Sequence, residues 1–463
     1  MTLVFDSVID LSESITFSTD KKTVNIKIHK NAKWHDGVPI SSDDIIFTLL
    51  SIEDPNIRSP FYSTWQGIRT KRISEKEMSF ILESPYAFFE DNLRNLYPLP
   101  KHIYGNSPIN EWRNPPLSLE PVGSGPYKFL SFEKKYDKFI SGYRLIKNED
   151  YFKNIFIPDV RFYFYGNEED MVRAYNRGEI NALYTIAPYL LPTIKKDYKL
   201  YSYNLPRYYA LFFNDTRNSN LKNLTVRKII EEALPYKKIL KNSLDSYGTI
   251  YPESYFLSFA NTDTKNLELT SRSIEELNAA LDKAGYKRKD NGIRFTLKLT
   301  VPSTPLLLAT AATIHETLKE LSISVIIESI PTKDIHEKII EMRNYEALIF
   351  GQAYLDNADP FPFFHSLERA YPGLNLSQFS HQEADRLIEN IRKNFNSETR
   401  NREIKTLETL LHAQVPAIYL YSPKLIFIAD TNIKGIDSGF LKTPESRIKN
   451  IINWYTHVQI TKQ

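Results

Sequence analysis

The sequence predicts an α/β protein with mixed sheets, and three observations carry that expectation. Alternating apolar and polar runs such as Thr23-Val-Asn-Ile-Lys-Ile-His29 read as half-buried strands. Helical periodicity recurs over 273–283, 308–321, 381–394 and 398–412. Strand-like runs at 297–301 and 324–329 alternate with those helices, as a layered α/β unit requires.

At 463 residues the chain can bury a large core, enough for two to three domains at ~100–200 residues each. Its 59 basic and 56 acidic residues nearly cancel, so no field draws in nucleic acid or anionic lipid. With no cysteine, disulfides, zinc–thiolate sites and thiol nucleophiles are excluded. No run reaches the ~18 apolar residues of a membrane helix. The first ten residues lack the basic-then-apolar pattern of a signal peptide. The 29 Tyr and 27 Phe read first as strand formers and core, and second as material for an aromatic-lined cleft.

The elements follow in order. After the strand at 23–29, Trp34-His-Asp-Gly-Val-Pro39 forms a turn on Asp36-Gly37, with Pro39 barring a helix. Ser41 and Asp44 resemble a capping box that opens a helix, with Ile45, Phe47, Leu49 and Leu50 as its buried side. A strand is expected over 78–82, a Pro-broken loop over 96–104, and a turn over 121–129 that leads into a strand. A strand over 160–165 precedes a helix over 168–177 closed by Gly178. Ser273 and Glu276 cap the helix that Gly285 ends, and Ile314, Leu318 and Leu321 share one face of the next. The apolar run Ala347-Leu-Ile-Phe350 reads as a strand that ends in Gly351-Gln-Ala-Tyr-Leu-Asp-Asn-Ala-Asp-Pro360. A strand that ends among acids and aromatics is a common place to hold a polar ligand.

Catalytic signatures are missing. His315-Glu316 and His336-Glu337 are followed at the fourth position by Lys319 and Ile340, so neither is a zinc helix. Val122 stands where a nucleophile elbow around Ser124 needs glycine. There is no Walker A and no dinucleotide glycine fingerprint. Paired carboxylates of the glycosidase kind arise by chance among 56 acids. No metal and no cofactor is expected.

Four segments in this order resemble the family 5 extracellular solute-binding proteins, the dipeptide and oligopeptide receptors of ABC importers. They are Trp34-His-Asp-Gly-Val-Pro39 with Ser42-Asp-Asp-Ile-Ile-Phe47; Gly123-Ser-Gly-Pro-Tyr-Lys-Phe129; Asn148-Glu-Asp-Tyr-Phe152 through Gly178-Glu-Ile-Asn181; and Asp356-Asn-Ala-Asp-Pro360. Pro100-Lys-His-Ile103 and Asn223-Leu-Thr-Val-Arg227 add support. The resemblance covers nearly the whole chain. It implies a two-lobed periplasmic-binding-protein-like fold (type II, cluster C) with a hinge between the lobes. Lobe I would comprise residues 1–202, with a subdomain around 34–110, and lobe II residues 203–425. Residues 426–463 would return to lobe I. The crossings would lie near 201–206 and 421–428.

The implied function is capture of a peptide-like solute in the interlobe cleft and delivery to ABC permease subunits in the membrane. The implied setting is extracytoplasmic, periplasmic or at the cell surface, and the protein a monomer without catalytic activity. The alternatives are a ligand-sensing domain of a regulator, or a receptor for an oligosaccharide, an opine or a nickel complex. By the same resemblance Asp356 pairs with a ligand ammonium, Gly351, Gln352 and Ala353 pair with its main chain, and Tyr354, Asn357, Tyr184 and Thr185 line the cleft. Asp359, before Pro360, is read as a turn cap. Trp34, His35, Asp36 and Gly37 are read as a buried turn, and Gly123, Gly125, Pro126 and Tyr127 as an architectural one.

Three departures stand out. Gln352 replaces a common Trp, one extra residue lies between Gly351 and Asp356, and Asn181 replaces an Asp. Nickel is disfavoured because no His precedes His365 in the fourth motif. The family pattern places several dozen residues, with a signal peptide or lipoprotein Cys, ahead of the strand at 23–29. The chain is therefore expected to be truncated at its front.

Overall fold

A computed structural model describes residues 3–59, 61–112, 117–136, 138–185, 187–250, 272–354, 359–437, 439–441 and 443–456. Strands β1 (Ser12–Phe17), β2 (Thr23–Ile28), β3 (Arg69–Arg72) and β4 (Glu77–Ile81) form an antiparallel sheet in the order β1-β2-β4-β3. Strands β5 (Tyr127–Lys134), β6 (Ile140–Lys147) and β7 (Asp159–Tyr163) form an antiparallel meander. Next come β8 (Ala182–Thr185) and β9 (Lys199–Asn204), then β10 (Arg207–Phe213) and β11 (Gly248–Ile250). After these follow β12 (Phe295–Pro302), β13 (Ile323–Ile330), β14 (Ala347–Ala353), β15 (Ala417–Pro423), β16 (Leu425–Ala429) and β17 (Gly439–Phe440). One four-stranded sheet runs β17-β9-β16-β8, and the largest runs β11-β15-β10-β14-β12-β13.

The six-stranded sheet is mixed. β12 pairs in parallel with β13 and β14, whereas β10 is antiparallel to both its neighbours. A parallel pair needs a crossover, and the helix Pro305–Glu320 supplies it. Thr304 accepts from the Leu307 N–H to cap that helix, and Pro305 occupies its first turn, where no N–H is needed. Leu307, Ala311, Ile314 and Leu318 recur at three- and four-residue spacing and are all buried.

Apolar clusters cover both faces of this sheet. Leu211 and Phe213 join one with the helices over 224–244, 274–283 and 305–320. Tyr208, Ala210 and Phe212 join the other with the helices over 382–414. A strand buried on both faces is apolar throughout, which is why β10 and β15 read Arg-Tyr-Tyr-Ala-Leu-Phe-Phe and Ala-Ile-Tyr-Leu-Tyr-Ser-Pro. A separate core joins Leu3–Leu11, β2, β4 and Tyr127 to Tyr201, Tyr203, Phe427 and Trp454. The chain passes from β9 to β10 through Leu205-Pro206, and from β15 to β16 through Lys424.

Most expected elements recur within one to three residues of their ends. β2 alternates in burial as its sequence does, and Ser273 with Glu276 forms a complete capping box. Gly178 and Gly285 both take positive φ behind their helices.

Leu50 needs correction: it is 60% exposed. The buried side of the helix Ser42–Glu53 is centred on Asp44, Ile45, Thr48 and Leu49. Asp44 and Thr48 take that face because they accept from the Lys101 and Leu99 backbone N–H groups at 2.9 and 2.8 Å. The loop they hold carries a helical turn, Lys101–Tyr104, which the Pro-broken reading of 96–104 does not include.

Candidate functional site

The first two motifs meet. His35 Nδ1 accepts from the Gly123 N–H at 3.2 Å, and its Nε2–H donates to the Gly125 carbonyl at 3.0 Å. The His35 backbone N–H donates to the Gly123 carbonyl at 2.7 Å. One imidazole therefore closes the Gly123–Gly125 turn from both ends. Gly125 and Tyr127 donate in turn to the Val4 and Leu3 carbonyls, at 2.8 and 2.9 Å. A Cβ on Gly123 would lie 1.8 Å from the Val4 carbonyl oxygen, so only glycine admits the N-terminal segment. Gly37 turns the chain at φ +90°, Asp36 receives the His102 ring at 2.7 Å, and Trp34 and Tyr127 are buried. The carbonyl of Pro126 accepts from the Asn148 N–H at 2.8 Å. The Trp34–Gly37 turn is not buried as a whole: Trp34 is buried and His35 half-buried, whereas Asp36 and Gly37 are exposed, because Asp36 meets the His102 ring through its carboxylate at the surface.

Two titrating groups sit at this junction. Burial holds His35 down to about 4, so it stays neutral. Burial, reinforced by Asp10, pushes the Asp6 carboxyl up to about 7, although the Tyr151 hydroxyl donates to it at 3.0 Å. An acid with a raised folded pKa contributes most below its unfolded pKa of 3.8, and that contribution is lost as pH rises through about 7. His35, with a lowered folded pKa, contributes above 6.5 and loses its contribution as pH falls towards about 4. Asp6→Asn is therefore expected to raise stability at pH 8 by roughly 2–4 kcal/mol and to change it little at pH 4. Denaturant melts at the two pH values check this; an equal effect at both would mean that the substitution acts through packing instead of charge.

The β14 end is the second focus. The Tyr354 N–H donates to the Pro206 carbonyl at 2.7 Å, and the Asn214 N–H to the Glu346 carbonyl at 2.8 Å. Even-numbered residues of β14 thus turn their backbone towards β10, and Gly351 and Ala353 turn theirs the other way. β12 meets β14 only at Ala347 and Leu348. Among the described residues, no strand covers the Gly351–Ala353 edge.

On one face of β14, the Tyr209 ring lies 2.7 Å from where a Gly351 Cβ would stand, so glycine makes room for it. On the other, the Gln352 amide accepts from the Tyr208 hydroxyl at 2.7 Å and donates to the Leu374 carbonyl at 2.8 Å. Tyr354 is buried in a cluster with Tyr208, Tyr419 and Phe363, its hydroxyl 3.1 Å from that of Tyr419. Its side chain belongs to the core rather than to an open wall. Asp356 and Asn357 lie outside the described residues.

Asp359 caps its turn through the Phe361 N–H at 3.0 Å. Its other oxygen receives the Tyr86 hydroxyl at 2.9 Å and lies 3.1 Å from Arg392 Nε. The Arg392 guanidinium covers the Tyr86 and Phe361 rings, and Phe88 enters the core beside it.

Tyr184 stands elsewhere. With Phe427 and Arg447 it lines a groove of about 1080 Å³ that follows β7 and β8, both edge strands. Arg447 lies 3.9 Å from the centre of the Tyr184 ring. No residue of 351–354 lines this groove. Thr185 ends β8, paired with Ile426. Among the described residues, no three His, Asp or Glu side chains converge as a metal site. No described helix is long and apolar enough to cross a membrane.

A family profile described as bacterial extracellular solute-binding proteins, family 5 (middle), matches residues 8–373. The chain belongs to this family. It is 25% identical over 470 residues to the oligopeptide-binding protein AppA of Bacillus subtilis, covering 96% of this chain and 83% of that one. Its fold superposes on a putative peptide-binding protein AppA from Clostridium difficile with a TM-score of 0.84 and 21% identity, over 98% of this chain and 95% of that one. NikZ from Campylobacter jejuni, solved with Ni(L-His), gives a TM-score of 0.78 at 22% identity, covering 98% and 94%. The α/β fold of the family 5 binding proteins is thus the fold of this chain.

Tyr86, Arg392 and Tyr209 are not singled out by sequence reasoning. Each acts through a partner remote in sequence: Tyr86 and Asp359 are 273 positions apart.

Proposed function

We propose that this solute-binding protein is the substrate receptor of an ABC importer and that it captures a peptide-like solute for a membrane permease. The observation that carries this reading is the uncovered edge of β14. The Gly351 and Ala353 amides and carbonyls can pair with an extended main chain, which gives affinity without reading side chains. Asp356, three residues beyond that edge, is proposed as the partner of the solute's ammonium. A buried cation needs such a partner.

Two lobes are part of the proposal, with boundaries near 202 and 425. The separate cores and the paired crossings at Leu205-Pro206 and Lys424 support them. The proposed site of action is the outer face of the membrane, a reading supported by the word extracellular in the family description, and the proposed role is binding without turnover.

Native mass spectrometry of the purified protein is expected to show a co-purifying peptide. Asp356→Asn is expected to weaken binding of a free-amine peptide by ~2–5 kcal/mol and to leave its N-acetylated form unaffected. Equal affinity of both proteins for the free-amine peptide would remove Asp356 from the site.

A further inference from the structure

The sheet β1-β2-β4-β3 and the six-stranded sheet fall in different proposed lobes, yet their parts meet through more than the two crossings. The turn between β1 and β2 lies beside the loop that follows β4, since the Leu82 N–H donates to the Lys22 carbonyl at 2.8 Å. Both reach the end of the helix Gln382–Lys393, which packs in the core under the six-stranded sheet. From the turn, the Phe17 ring meets the Phe395 ring edge to face, with 5.3 Å between their centres. Lys21 Nζ stands over both rings, 5.9 and 5.4 Å from their centres. From the loop, the Ala87 N–H donates to the Arg392 carbonyl at 2.7 Å, and the Arg400 guanidinium covers the Phe88 ring at 5.4 Å.

These contacts suit the place they occupy. The last carbonyls of a helix have no partner within it, and Ala87 satisfies one of them from the other lobe. A helix C-terminus also favours a cation, and Lys21 holds one beside it at φ 60°. Each side of the contact is anchored in its own lobe. The core of the first sheet runs into β9 and β16 through Tyr201, Tyr203 and Phe427. The helix Gln382–Lys393 is fixed through Ala384, Leu387, Ile388 and Ile391 to the core that holds Tyr208 and Phe212. The lobes therefore cannot rotate about the crossings while Phe17 stays on Phe395 and Ala87 on Arg392. Phe17 and Phe395 are only half-buried, so their contact can part without opening either core.

We infer that this contact is a latch on the rotation of the lobes. Made, it holds the cleft in one geometry; parted, it frees lobe II to turn and exchange solute. The inference rests on the two-lobe reading.

The test is pulsed dipolar spectroscopy on spin-labelled cysteine pairs, which a cysteine-free chain admits without background. Lys22→Cys with Glu398→Cys puts labels on exposed residues at either side of the latch. Lys195→Cys with Lys319→Cys spans the proposed lobes elsewhere, again from exposed positions. In the unliganded protein, Phe395→Ser is expected to raise the ratio of long to short distances about 10-fold at both pairs. Phe17→Ser acts from the other lobe and is expected to do the same. Either variant serves as the readout should the other not fold.

Unchanged distances between residues 22 and 398 in both variants overturn the latch. The two-lobe reading is then judged by the 195–319 pair: two distance components in the wild type keep it, and one narrow component removes it as well. Lengthening at 22–398 with 195–319 unmoved also overturns the latch, because the first sheet then swings by itself.

Discussion

Gly123→Ala is expected to destabilise the protein by about 3 kcal/mol or more, among the largest effects of any single methyl group in the chain. The added Cβ would lie 1.8 Å from the Val4 carbonyl oxygen and 2.6 Å from its carbon. Those are backbone atoms, so no rotamer change relieves the contact. The segment Leu3–Phe5 must move, and with it go the hydrogen bonds from Gly125 and Tyr127 to the Val4 and Leu3 carbonyls. His35 loses its two-ended grip on the turn as a result. Chemical denaturation of the variant beside Gly166→Ala, where a Cβ meets nothing within 4 Å, isolates the steric effect. Equal stability of the two variants would show that the N-terminal segment is not tightly seated.

Arg392→Met is expected to cost about 3 kcal/mol of stability. Asp359 is only 4% exposed, and Arg392 is its counter-charge at 3.1 Å. Removing the cation strands a buried carboxylate whose remaining hydrogen bonds, among the described residues, come from the Tyr86 hydroxyl and the Phe361 N–H. The double variant with Asp359→Asn removes the stranded charge as well, and is expected to recover at least half of the loss. A double-mutant cycle by urea unfolding measures this. Additive losses would mean that the two side chains do not interact. The effect extends past one ion pair, since Tyr86 and Phe88 attach the N-terminal part of the chain to the core under the six-stranded sheet.

Local signals in the sequence are readable where the structure uses local chemistry. The Ser273–Glu276 box, Gly178 behind its helix, and the alternation of β2 depend on residues within a turn or two of one another. β10, β15 and β16 are not readable as strands. Each is apolar on both faces, so no alternation marks it, and a short apolar run fits a buried helix equally well. The strand before Asp356 is legible from Ala347-Leu-Ile-Phe350 and the glycine after it. That Gly351 accommodates Tyr209 is not, because strand pairing sets that contact. Only the motif groups Tyr184 with β14; the structure places it on another sheet, under Arg447. Leu50 fails for a related reason: an apolar residue is assigned inward where a buried Asp and Thr hold a loop.

The two links between the six-stranded sheet and its four-stranded neighbour contain two residues, Leu205 and Pro206, and one residue, Lys424. They run side by side, with the Ser422 hydroxyl 3.5 Å from the Leu205 carbonyl. Tethers so short leave little slack, so any relative movement of the two sheets is expected to be a rotation about a line through Pro206 and Lys424, opposed by the contacts of Tyr86 and Phe88. Displacement in such a rotation grows with distance from the axis. Tyr354, bonded to the Pro206 carbonyl, lies next to that line, and the outlying helices lie far from it. In such a rotation the end of β14 is expected to keep its geometry, because Tyr354 is tied to the axis itself.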